Sequence, residues 1–159
     1  MDKLKKFAKE ISVFGIVIVI VGALLIYKQF NMNDYTIISA DKAVSMIQAD
    51  KDFIVVFGTT KTTTTSSSTT EEQNNDPANL TAEQATYVRK YIKKNRQKVY
   101  YVNADKIEDL ATYMKDNFNS DSTLPQTFFI KNGEITSNKS GAIKYVEFSK
   151  LVTEWKETK

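Results

Sequence analysis

Residues 53–57 read FIVVF, five consecutive apolar positions that leave no polar face. Ile54, Val55 and Val56 are β-branched and Gly58 follows at once, so the run reads as a short strand closed by a glycine. A strand that is apolar at every position has to be covered on both sides. The chain must therefore supply helices to two faces of one sheet, which excludes a one-sided antiparallel sheet and an all-helical bundle.

The flanking sequence supplies that cover. Residues 35–38 (YTII) read as a first strand, and Ser39 can N-cap a helix over 40–49 with Ala43, Val44 and Ile47 on one face. Thr81 is expected to cap a second helix, with Ala85, Val88 and Ile92 inward and Arg89, Lys90, Lys93 and Lys94 toward water. Residues 99–103 (VYYVN) form a third strand. Ile107, Leu110, Ala111, Met114 and Phe118 recur at helical spacing. Asn132-Gly133 between residues 127–130 (TFFI) and 134–136 signals a hairpin, and Phe148, Leu151, Val152 and Trp155 mark a last helix. The order β-α-β-α-β-α-β-β-α predicts an α/β domain, a sheet sandwiched by helices. Tyr100, Tyr101, Phe128 and Phe129 are expected to pack under those helices rather than to stack nucleic-acid bases.

Ahead of this domain, residues 11–27, from Ile11 to Tyr27, carry no charge over 17 positions. As a helix the run spans roughly 25 Å, slightly short of a ~30 Å hydrocarbon layer, and Lys9 and Lys28 can snorkel to cover the difference. It is apolar on every face, so a transmembrane helix is expected. No small-residue cleavage site follows closely, which favours a retained anchor over a cleaved signal peptide. Four lysines precede the run and only Lys28 follows within a dozen residues, so the N-terminus is expected in the cytoplasm and the domain on the extracytoplasmic face of the plasma membrane. The expected organisation is a basic tail at 1–10, an anchor at 11–28, a spacer at 29–34 and the domain at 35–159.

Charge and absent residue types narrow the function. Residues 1–28 hold five lysines against Asp2 and Glu10, which accounts for the whole net charge of +3. The remainder is balanced, so nothing argues electrostatically for a nucleic-acid partner. The chain contains no Cys and no His. Disulfides, Cys/His zinc sites, Ser-His-Asp triads and imidazole bases are thereby excluded. No Asp/Glu spacing of calcium-loop type appears, so neither a metal nor a cofactor is expected.

Directly after Gly58 comes TTKTTTTSSSTT at 59–70, followed by polar residues as far as Leu80. A stretch without large apolar side chains has little to bury, so 59–80 is expected as a solvated, mobile loop. A lesser possibility for its hydroxyls is to cap the following helix or to contact a partner's backbone. Asn79-Leu80-Thr81 and Asn138-Lys139-Ser140 match glycosylation sequons, which arise by chance in Asn/Thr-rich chains and are assigned no function.

Three further positions fall at regular intervals: Pro125, Gly133 and Gly141, eight apart, in LPQTFFIKNGEITSNKSGA. With the order of elements, these spacings resemble the thioredoxin fold, over about residues 35–157. The resemblance implies a mixed sheet flanked by helices, preceded here by one transmembrane helix. It also implies a cis bond at Pro125 and a rim at Leu124, Pro125 and Gln126 whose unpaired backbone groups capture an extended peptide as an added strand.

At the catalytic positions the resemblance fails. Counting from Phe57, the family's Cys-x-x-Cys pair falls on Thr62 and Thr65, and its buried proton-handling acid falls on Val56. A thiolate is the nucleophile of thiol-disulfide chemistry, so redox catalysis by this chain alone is excluded. Threonine as nucleophile needs an adjacent base, and Lys61 is the one neighbouring candidate. The chain is similar to membrane-anchored thioredoxin-like accessory proteins of Gram-positive bacteria, including those encoded with bacteriocin export systems. That likeness implies a redox-inactive binding protein acting on secreted peptides or proteins. The alternatives are a member of an oxidoreductase family whose cysteines are replaced by Thr62 and Thr65, and a structural subunit of a membrane complex.

Overall fold

A computed structural model describes residues 34–62 and 75–158. The expected anchor at 11–27 and Thr65 lie outside the described residues. Among the described residues no helix is long and apolar enough to cross a membrane.

Five strands form one sheet: β1 (Thr36–Ile37), β2 (Phe53–Gly58), β3 (Tyr100–Asn103), β4 (Gln126–Lys131) and β5 (Glu134–Ser140), in the order β1-β3-β2-β4-β5. Strand β2 is central, parallel to β3 and antiparallel to β4, and all six of its residues are buried. Four helices cover the sheet: α1 (Ala40–Gln48), α2 (Pro77–Asn95), α3 (Leu110–Phe118) and α4 (Tyr145–Glu157), with a 3₁₀ turn at Ala104–Lys106.

The period-2 alternation of β2 sorts its side chains into two cores. Ile54 and Val56 pack with Val88, Tyr91 and Ile92 of α2 and with Phe148, Val152 and Trp155 of α4. Phe53, Val55 and Phe57 pack with Ala43 and Met46 of α1 and with Met114 and Phe118 of α3. Phe129 belongs to the first layer and Phe128 to the second, so β4 repeats the alternation. The half-buried Tyr101 and Tyr100 lie against these two layers in the same way. The Trp155 indole also donates to the Ile130 carbonyl at 2.9 Å, which ties α4 to β4. A bulge between Phe129 and Ile130 shifts the β4–β5 register, and the Thr136 hydroxyl donates to the Phe129 carbonyl at 2.9 Å.

Helix boundaries follow their caps. Ser39 accepts from the Lys42 amide, as expected. The start of α2 differs from expectation: Asp76 is its N-cap, accepting from the Ala78 amide, and Pro77 opens the helix. Pro77 lacks the donor that a first helical position does not need, so Asp-Pro is the stronger start signal. Thr81 lies inside the helix and is buried, its hydroxyl donating to the Pro77 carbonyl at 2.7 Å. Likewise α3 begins at Leu110 behind its cap Asp109, which leaves Ile107 outside the helix and Ala111 exposed. Strand β5 reaches Ser140, four residues past the expected end.

The hairpin turn depends on glycine. Gly133 has φ +75, and a Cβ there would lie 2.5 Å from the Ile47 carbonyl oxygen and 2.9 Å from Asp50 Oδ1. The turn thus packs on the C-terminal end of α1 with no room for a side chain. Gly133→Ala is expected to destabilise the domain by about 1–3 kcal/mol through the combined clash and left-handed backbone. Thermal unfolding followed by circular dichroism checks this, and an unchanged midpoint would contradict it.

Candidate functional site

Strands β2 and β3 run parallel and end side by side, Gly58 opposite Asn103. Their carboxyl ends are therefore where the chain can present groups from two loops at once. From β2 come Thr59, Thr60, Lys61 and Thr62; from β3 comes the 3₁₀ turn carrying Asp105.

Asp105 organises this corner. Its Oδ1 accepts from the Thr59 hydroxyl at 2.5 Å, and its Oδ2 accepts from the Thr60 amide at 2.9 Å and the Thr60 hydroxyl at 2.7 Å. The Thr59 hydroxyl oxygen in turn accepts from the Lys61 amide at 3.0 Å, and the Thr59 amide donates to the Thr81 hydroxyl at 3.3 Å. Asp105 is held from its own side by the Asn103 side chain, which accepts from its amide at 2.9 Å. The first residues of the Thr/Ser tract are thus held by hydrogen bonds, although Thr60, Lys61 and Thr62 stay exposed to solvent as expected. Thr59 is buried, and Asp76 at the tract's far end is buried as well. The physical reason is that hydroxyls and a cap carboxylate can enter a protein interior when each finds a partner.

Burial alone would raise the Asp105 carboxyl. The hydrogen bonds from the Thr59 and Thr60 side chains, then the Thr60 amide and the Lys61 charge, outweigh it and hold the group below the usual aspartate range.

Gly58 is required where this corner meets α2. A Cβ there would lie 2.5 Å from Thr81 Cγ2 and 2.9 Å from the Tyr101 ring.

The residues singled out from the sequence fall in distinct places. Thr62 is exposed, just past the fixed segment. Val56 is buried in the α2–α4 layer, directly across the ladder from Thr127. The polar group in that layer is Gln84, whose amide nitrogen donates to the Thr127 hydroxyl at 2.6 Å, both residues being fully buried. Neither is a carboxylic acid, so neither supplies the proton-handling acid that the resemblance implies. Gln84 was missed in the sequence, although it stands on the apolar line Gln84–Val88–Ile92 at intervals of four.

The bond between Leu124 and Pro125 is cis. The Pro125 carbonyl accepts from the Gly141 amide at 2.8 Å. Gln126 is buried within β4, its amide nitrogen donating to the Ser120 hydroxyl at 2.5 Å and the Ser140 hydroxyl at 3.2 Å. It is paired in the ladder, opposite Phe57 on one side and Ser140 on the other. Leu124 differs from both. Its side chain packs on the α1–α3 core, and its own amide and carbonyl make no hydrogen bond among the described residues.

Leu124 lines an open groove of about 400 Å³ whose other walls include Thr59, Lys61, Pro77, Leu80 and Gly141. A second cleft, about 540 Å³, lies between β1 and α2 and was not foreseen from the sequence. Among the described residues, no three carboxylates converge where a metal could be held.

The fold is thioredoxin-like. The structure is similar to a protein with a thioredoxin fold, at 19% identity over 72% of this chain and 91% of the other, TM-score 0.51. It is also similar to chloroplastic thioredoxin z (15% identity, 79% and 96% covered, TM-score 0.53). A chain of the complex of ferredoxin:thioredoxin reductase with thioredoxin f2 matches at 14% identity, 79% and 98% covered, TM-score 0.53. At these identities the likeness establishes the fold alone. No family profile and no curated protein matches the chain.

Asp105→Asn should lower stability by on the order of 1–2 kcal/mol at neutral pH, because the amide leaves one acceptor where the carboxylate offers two. The sign of the pH dependence follows from the lowered carboxyl. Its contribution is complete above the unfolded value near 3.8 and is lost as pH falls through the folded value. Urea unfolding at neutral pH and at about pH 3 should show the gap between wild type and Asp105→Asn narrowing in acid. A gap independent of pH would contradict the assignment.

Proposed function

We propose that this chain is a membrane-anchored, redox-inactive binding protein with a thioredoxin-like domain on the extracytoplasmic face, and that it holds an extended segment of a secreted peptide or protein. One observation carries the reading: Leu124 is fixed by its side chain, while among the described residues its backbone amide and carbonyl have no partner on the wall of an open groove. Such a residue can exchange hydrogen bonds with an extended strand, and affinity of this kind needs no thiol.

The absence of cysteine from the whole chain supports binding in place of thiol exchange. Anchoring through residues 11–27 rests on their uncharged length and on the lysines before them. A place beside a bacteriocin export system is the finest form of the reading and rests on the resemblance to anchored accessory proteins of that type.

Of the three rim residues, Leu124 carries the contact. Pro125 and Gln126 support it from behind, since both are buried and hydrogen-bonded inside the domain.

Two substitutions test this in the full chain held in detergent micelles, with a fluorescein-labelled ten-residue Ser/Thr-rich peptide as probe. Leu124→Pro removes the amide donor and Thr123→Trp occludes the groove. Each is expected to weaken binding roughly tenfold or more, with thermal unfolding confirming that the fold persists. Binding unaltered by both, or no binding by the wild type, would overturn the reading.

A second reading keeps a footing in the position of Thr62, which follows the Asp105-held loop beside the same groove. If the chain is an oxidoreductase disarmed at two positions, the double variant Thr62→Cys, Thr65→Cys should reduce insulin. An inert double variant would rule this out.

A further inference from the structure

The groove at Leu124 has Thr59 in its wall. It adjoins the larger cleft at Thr59, which lines both. We propose that the cleft between β1 and α2 is a specificity pocket that receives an aromatic side chain of the same extended peptide, an inference that rests on the binding reading above.

Its size, about 540 Å³, lies within the range of ligand pockets. One wall is aromatic: the rings of Tyr35 and Tyr101 stand 5.4 Å apart, tilted by 42°. The facing wall is α2, where Ala82 and Ala85 present methyl groups alone and leave the slot open. At the mouth, the Arg89 guanidinium is held by Asp34 at 2.7 Å, with more than half of each side chain exposed. A guanidinium fixed beside a ring-lined slot favours the face of an incoming aromatic ring, by cation–π attraction, over an aliphatic chain.

Ile37 sits on the rim and is 76% exposed, a large apolar side chain left uncovered among the described residues. A bound segment passing from the groove into the cleft would cover it. Continuity with the Leu124 groove singles out a peptide as occupant over a second copy of the chain.

The test scans a phenylalanine through each position of the Ser/Thr-rich probe peptide, using the full chain in micelles. At one or two adjacent positions phenylalanine should tighten binding roughly tenfold or more over the parent peptide. Ala82→Trp fills the slot from an exposed helix position. It should erase that gain while leaving parent-peptide affinity within about twofold. Ile37→Asp, on an exposed position of β1, should reduce the same gain.

Parent binding with no preference for phenylalanine anywhere would overturn the pocket and leave the groove standing. Persistence of the gain in Ala82→Trp would place the aromatic site elsewhere and overturn the pocket too. Self-association of the wild type that Ala82→Trp abolishes would make the occupant a second copy, again overturning it. Failure of every peptide to bind would overturn groove and pocket together.

Discussion

Strand β2 meets no water on either face, and the architecture answers that constraint. With Ile54 and Val56 pointing one way and Phe53, Val55 and Phe57 the other, one helix layer cannot satisfy it. Helices α2 and α4 take the first face, α1 and α3 the second, and connections long enough to hold helices make β2 and β3 parallel neighbours. The corner at Asp105 follows from the same strand. Where β2 ends at Gly58 the apolar alternation stops, and the chain meets water, the start of α2 and the end of β3 at one point.

At that point the sequence changes from apolar to hydroxyl-bearing within one residue, and Asp105 makes the change tolerable. A carboxylate that accepts from Thr59 and twice from Thr60 converts the beginning of a low-complexity tract into a fixed edge. The groove containing Leu124 and the cleft containing Tyr101 lie on either side of that edge. The first residue after β2, Thr59, thus borders both the groove and the cleft.

The strands and their order were legible because burial on two faces and the Asn132-Gly133 turn leave strong patterns. The start of α2 was not, since Thr81 resembles a cap while Asp76-Pro77 lies hidden in a polar stretch. Met46 was passed over in favour of Val44 and Ile47, because a nine-residue helix allows more than one choice of inner face. The site was harder still. The Asp105 contacts join residues 45 and 46 positions apart, and a hydroxyl–carboxylate pairing leaves no periodic trace. The cleft beside Tyr35 and Tyr101 depends on β1 lying at the sheet edge, which element order alone does not reveal.

The central claim is that Leu124 offers its backbone to an extended client. Amide hydrogen exchange, resolved at Leu124 with and without saturating Ser/Thr-rich peptide, measures this directly. The account predicts rapid exchange at Leu124 in the free chain and slowing of roughly tenfold or more in the complex. The Thr60 amide, already bonded to Asp105, should be protected in both states. An unchanged rate at Leu124, through lack of binding or binding elsewhere, would contradict the account.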